Sequence, residues 1–73
     1  MKSLSEKAVE LLEDLEFENP KPEERWFHLH GFDPLHGLGE IRYAKERGWI
    51  EFKEEEKKFR LTPKGRSRLE RKK

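Results

Sequence analysis

From Gly48 to Gly65 the chain reads Gly-Trp-Ile-Glu-Phe-Lys-Glu-Glu-Glu-Lys-Lys-Phe-Arg-Leu-Thr-Pro-Lys-Gly, and no other stretch restricts the fold as much. Ile50 and Phe52 alternate with Glu51 and Lys53; Phe59 and Leu61 alternate with Lys58, Arg60 and Thr62. A period of two predicts two half-buried strands. Glu54 to Lys57 form the turn between them, although no Asn-Gly or Asp-Gly pair fixes its type. Thr62 is suited to cap a following helix, and Pro63 fits its first position, where a missing N–H costs nothing. Gly48 is suited to end the helix before the hairpin.

The segments 43–51, Tyr-Ala-Lys-Glu-Arg-Gly-Trp-Ile-Glu, and 59–66, Phe-Arg-Leu-Thr-Pro-Lys-Gly-Arg, resemble the wing region of winged helix-turn-helix proteins. These are the small archaeal and bacterial transcription regulators of the PadR, MarR and ArsR kind. The resemblance implies an α+β, mostly α fold: a three-helix helix-turn-helix core, a two-stranded hairpin wing at about 49–62, and a C-terminal helix.

The rest of the chain supplies elements for such a plan. Ser3 with Glu6 makes a capping box. Leu4, Ala8, Leu11, Leu12 and Leu15 then recur at helical spacing, predicting a first helix over 4–16. Its outer face carries Glu6, Glu10, Glu13, Asp14 and Glu16. Asn19-Pro20-Lys21-Pro22 breaks the chain. A second helix over 22–30 follows, with Glu23 and Glu24 in its first turn and Trp26, Phe27 and Leu29 as apolar content. Asp33 caps and Pro34 opens a third helix over 34–47, whose inner face is Leu35, Leu38, Ile41 and Ala44. Its opposite face carries His36, Gly39, Glu40, Tyr43 and Arg47, with Arg42 and Glu46 flanking. The last helix, 63–71, has Leu69 as its one large apolar residue and cannot fold alone. Placed beside the acidic face of the first helix, it would neutralise that face.

Seventy-three residues form one domain, 1–73, with a single core. The absence of Cys removes disulfides and thiolate metal sites. No apolar run reaches a membrane span, and Met1-Lys2-Ser3-Leu4 lacks the apolar block of a signal peptide, so the expected location is cytoplasmic. One Asn, no Gln and many Glu, Lys and Arg give a thermophile-like composition. His28, His30 and His36 are the only nitrogen ligands available, and their spacing does not match a helical zinc site. Ser3 and Thr62 are accounted for as caps, and Gly37-Leu38-Gly39 is not a phosphate loop. No cofactor and no enzymatic activity are expected.

Charge is segregated. Residues 1–24 hold three Lys against eight Asp or Glu, a net of −5; residues 51–73 hold ten basic against five acidic, a net of +5. A basic tail on a small domain suits a polyanion. The resemblance implies double-stranded DNA, with His36, Gly39, Glu40 and Tyr43 facing base edges and Arg42 and Arg47 near phosphates. Lys53, Lys57, Lys58 and Arg60 would neutralise phosphate from the wing. Against this stand the sparse third helix, with gaps at Gly37 and Gly39, and the acidic wing tip Glu54-Glu55-Glu56. The alternative is a protein-interaction adaptor that does not bind DNA. A homodimer or a protein partner would use the first helix, the last helix or Trp49, which either anchors a partner or packs under the third helix.

Overall fold

The computed structural model describes residues 3–31 and 36–72, with only the backbone of Lys72. The expectations for Phe32, Asp33, Pro34 and Leu35, including the Asp33 cap, lie outside the described residues. Three α-helices and a three-stranded antiparallel sheet make an α+β domain. Their order is α1 (Leu4–Glu18), β1 (Phe27–His28), α2 (Leu38–Glu46), β2 (Ile50–Lys53), β3 (Lys58–Leu61) and α3 (Pro63–Lys72). None of the described helices is long and apolar enough to cross a membrane.

Ser3 starts α1 by accepting the Glu6 N–H at 3.2 Å. The helix runs two residues past expectation and stops at Asn19, whose N–H donates to the Leu15 carbonyl at 3.0 Å. Asn19 Oδ1 also accepts the Lys21 N–H at 2.9 Å, turning the chain into the two prolines. The apolar stripe of α1 is buried: Ala8, Val9, Leu11, Leu12 and Leu15 are at most 3% exposed. Phe17 lies on the opposite, acidic side and is 87% exposed.

The second helix expected over 22–30 does not form. Pro22–Glu24 and Leu29–Gly31 are single 3₁₀ turns, and Phe27–His28 between them is a strand paired with β3. Three 3₁₀ residues carry no amphipathic face, so the segment is held by the buried Pro22 and Phe27 and by the sheet. Leu29 N–H donates to the Lys57 carbonyl at 2.8 Å, extending that pairing. The expected two-stranded wing is therefore part of a three-stranded sheet, ordered β1-β3-β2. Ile50 pairs with Leu61 and Phe52 with Phe59, while Phe59 also pairs with Phe27. All five side chains are buried on the inner face, where the Phe27 and Phe59 rings stack with centroids 6.2 Å apart.

The third helix is shorter than expected. His36 and Gly37 are not helical, and α2 begins at Leu38 with extended Gly37 as N-cap. Gly37 and Gly39 make a first turn costly here, by about 1 kcal/mol each relative to Ala. At its other end the Gly48 N–H donates to the Lys45 carbonyl and the Trp49 N–H to the Ala44 carbonyl, a Schellman stop with Gly48 at φ +78°.

Thr62 joins this helix end to the start of α3. Its hydroxyl donates to the Gly48 carbonyl at 2.5 Å and accepts the Gly65 N–H at 3.0 Å. Its backbone N–H donates to the Trp49 carbonyl at 3.0 Å. Leu69 anchors α3 in the core at 2% exposure. Arg66 fastens it to the acidic half of the molecule, reaching Glu16 at 2.5 Å, Glu23 at 2.7 and 2.8 Å and the Pro20 carbonyl at 3.2 Å. These hydrogen bonds hold the Glu23 carboxyl below the usual range and the Arg66 guanidinium above its own. The C-terminal helix thus does neutralise part of the acidic surface, through one bidentate arginine.

Candidate nucleic-acid interface

The ten residues expected to meet DNA fall into three places. His36 is the clearest departure. It was expected on the outer face of a helix, and it is 5% exposed between α1 and α2. Its Nε2 lies 2.5 Å from Asp14 and its Nδ1 2.7 Å from Glu40. Glu40 also meets the Gly37 N–H at 3.4 Å. His36 and Glu40 therefore tie the start of α2 to α1 and do not face outward. The cause is the late start of α2: a non-helical His36 escapes the helical wheel that placed it outside.

Gly39, Arg42 and Tyr43 remain on α2, and Arg47 is its C-cap. Gly39 is exposed, with nothing within 4 Å of the position a Cβ would take. Arg42 is exposed, 3.7 Å from Glu54 of the hairpin turn. Tyr43 is half-buried and meets Trp49 edge-on at 5.9 Å. The Ser5 hydroxyl and then the Arg47 guanidinium draw the Tyr43 phenol below its ordinary pKa. Trp49 is 8% exposed, so it packs beneath the end of α2 and is not a free anchor.

Lys53, Lys58 and Arg60 sit together on the outer face of the sheet, and Lys57 occupies the turn with φ +56°. Each of the three sheet cations has a glutamate near it. Lys53 and Lys58 each lie 4.0 Å from Glu56, and Arg60 donates to Glu51 at 2.9 Å. With Glu54 beside Arg42, the hairpin is locally neutralised.

Two groups stand apart from those ten residues. The first belongs to the basic tail expected to suit a polyanion: Lys64, Arg68 and Arg71, spaced i, i+4, i+7 on α3 and so on one stripe. Lys64 lies against Gly48, where an added Cβ would stand 3.3 Å from its Cδ. Arg68 lies over the Trp49 ring at 5.6 Å and Arg47 over Tyr43 at 5.1 Å. Among the described residues, Lys45, Arg47, Lys64, Arg68 and Arg71 form no ion pair. The signal was present in the helical spacing of the basic tail. The second group is Trp26 and His28, which share the outer sheet face with Lys53, Lys58 and Arg60. Their signal was the alternation Trp26 out, Phe27 in, His28 out, which the helical reading of 22–30 obscured.

No protein family, curated protein or solved structure matches this chain.

Proposed function

We propose that the protein is a double-stranded DNA-binding domain of winged-helix type, acting as a small transcription regulator or chromatin-associated factor. One observation carries the reading: the distribution of ion pairs. Lys53, Lys58, Arg60 and Arg66 are matched by glutamates, whereas Lys57 of the turn and, among the described residues, Arg47, Lys64, Arg68 and Arg71 are not. Arg47, Lys64, Arg68 and Arg71 offer phosphate a basic surface, while Lys45 stands over the Phe52 ring beside Glu54, Glu55 and Glu56. Sheet order supports the winged-helix reading, since an antiparallel β1-β3-β2 sheet with a helix leading directly into the β2–β3 hairpin suits that plan.

In this reading α2 lies at the groove with Gly39, Arg42 and the Tyr43 edge outward, and α3 lies along the phosphate backbone. Gly39 allows close approach of the duplex, having no side chain. The hairpin tip, with Glu54, Glu55 and Glu56, stays clear of phosphate. Binding of this kind is dominated by counterion release and is weakly sequence-specific.

The test is fluorescence anisotropy with random-sequence duplex at two salt concentrations. Each phosphate contact contributes about 0.9 to the slope of log K against log salt. Replacing Lys64, Arg68 and Arg71 by Gln should lower that slope by about 2 to 3. Absence of binding at about 100 µM protein in low salt would refute the proposal.

A second reading, a protein-interaction adaptor, is favoured by Phe17, 87% exposed on the acidic face of α1. Large exposed aromatics are suited to partner contacts. No measurable duplex affinity in the parent protein, with capture of a basic protein partner that is lost in Phe17→Ser, would support it.

A further inference from the structure

We infer that the outer face of the sheet binds single-stranded DNA, with Trp26 as a stacking platform for an unpaired base. The face is built by strand alternation. Trp26 and His28 flank Phe27, Lys58 and Arg60 flank Phe59, and Glu51 and Lys53 flank Phe52. The phenylalanines are buried and the flanking residues point the other way. The stacked and packed rings beneath make the support rigid, so the outward side chains are held in place before a ligand arrives.

Among the described residues, Trp26 is the one Phe, Tyr or Trp on this face. Lys53 Nζ and Arg60 Cζ each lie 4.4 Å from its ring centroid, on side chains from two different strands. Both cations stand over the half-buried indole, so a base stacks there by displacing them, which frees them for the phosphates that flank it. Lys58 and His28, paired across β1 and β3, continue the polar row. Three cations stand against Glu51 and Glu56, leaving the face net positive. Glu56 is exposed and only at the 4.0 Å limit from both lysines, so phosphate can replace it.

This combination selects a single strand over a duplex. Aromatic stacking needs a base with a free face, and duplex bases are already stacked. The charge left after pairing is too small to hold a duplex by counterion release alone, so stacking decides. The surface differs from the α2–α3 stripe, and the proposal stands if that stripe proves inactive. Only the choice of DNA over RNA rests on the duplex reading.

The experiment titrates the full chain with labelled oligothymidylate and oligouridylate of about fifteen nucleotides, and with a duplex, at low salt. Trp26→Ala should weaken oligothymidylate binding about tenfold, while Trp26→Phe retains most of it. Duplex affinity should stay within about twofold in both variants. Replacing Lys64, Arg68 and Arg71 by Gln should have the opposite pattern, weakening the duplex and sparing the single strand. Unchanged oligothymidylate affinity in Trp26→Ala, or no affinity in the parent protein, overturns the proposal. So does an equal loss for single strand and duplex, which would place both on one surface. Tighter binding of oligouridylate overturns the assignment to DNA. Should Trp26→Ala fail to fold, Lys53→Gln with Lys58→Gln, both on exposed positions of the same face, must lower oligothymidylate affinity, and an unchanged value counts against the site.

Discussion

Gly65 allows two opposing effects to be compared in one substitution. It sits in the first turn of α3, on the side facing the start of β2. A Cβ added there would overlap the Trp49 carbonyl oxygen, and would stand 2.6 Å from Leu61 Cδ1 and 3.0 Å from the Trp49 carbonyl carbon. The Leu61 methyl could rotate away. The Trp49 carbonyl cannot, because it is backbone and accepts the Thr62 N–H. Gly65→Ala must therefore push α3 outward and loosen Leu69, Thr62 and Arg66 together. Helix propensity works the other way, since Ala is favoured over Gly by about 1 kcal/mol in a helix. Overpacking against an unyielding neighbour costs up to about 3 kcal/mol. The net expectation is a loss of about 2 kcal/mol, a large share of the ~3–5 kcal/mol available to a chain of this size.

Urea denaturation followed by circular dichroism reads this directly. With a slope of about 1 kcal/mol per molar urea, the midpoint should fall by about 2 M. Gly39→Ala is the matched control, because the same added methyl there meets nothing within 4 Å. It should raise stability by about 1 kcal/mol through propensity alone. If Gly65→Ala is as stable as the parent, or gains as much as Gly39→Ala, the close approach of α3 to β2 is not what holds this domain together.

The remaining predictions concern the ties between elements. Thr62→Val keeps the shape but removes the link between the Gly48 carbonyl and the Gly65 N–H, and should cost about 1–2 kcal/mol in the same denaturation assay. Arg66→Met should cost about 1–2 kcal/mol, after allowing for the partial exposure of the cluster. The Glu23 carboxyl is held low by Arg66, so its contribution is full above the usual glutamate value of about 4.3 and is lost as pH falls through the lower folded value. Stability of the parent should therefore drop more steeply below about pH 4.3 than that of Arg66→Met, measured by thermal unfolding across pH. His36→Ala removes the buried contact to Asp14 and Glu40 and should lower stability by about 1–3 kcal/mol without loss of duplex affinity beyond that explained by unfolding.

The elements with a complete local signature were legible in the sequence. Ser3, Gly48 and Thr62 each act at the terminus their chemistry suits, and the alternation at 50–53 and 58–61 became β2 and β3 in the expected sense. What depended on tertiary partners was not legible. Residues 22–30 contain two helix-starting glutamates after a proline and three apolar residues, Trp26, Phe27 and Leu29, which fits a helix in isolation. Phe27–His28 form a strand instead because β3 has a free edge at Phe59, and pairing with it satisfies the backbone that a short helix would leave open. No local propensity reports that edge. The position of His36 had a similar cause: its partner Asp14 lies 22 residues away, and only the packed form brings the two together.

The misread strand also decided which surface was noticed. A helical Trp26 belongs to a core stripe, and its neighbours in sequence are then its neighbours in space. A strand puts Trp26 and Phe27 on opposite faces, sending Phe27 into the core and leaving Trp26 beside Lys53 and Arg60. Those three residues come from separate segments, and no spacing rule along the chain links them. β1 brings Trp26 to the hairpin cations Lys53 and Arg60, and on the single-strand proposal that placement suits an extended strand with a free base. On the duplex proposal, Lys64, Arg68 and Arg71 of α3 are the cations that meet phosphate. On the two proposals taken together, the charge segregated along the chain is divided between two differently equipped faces, one acting by counterion release and the other by stacking.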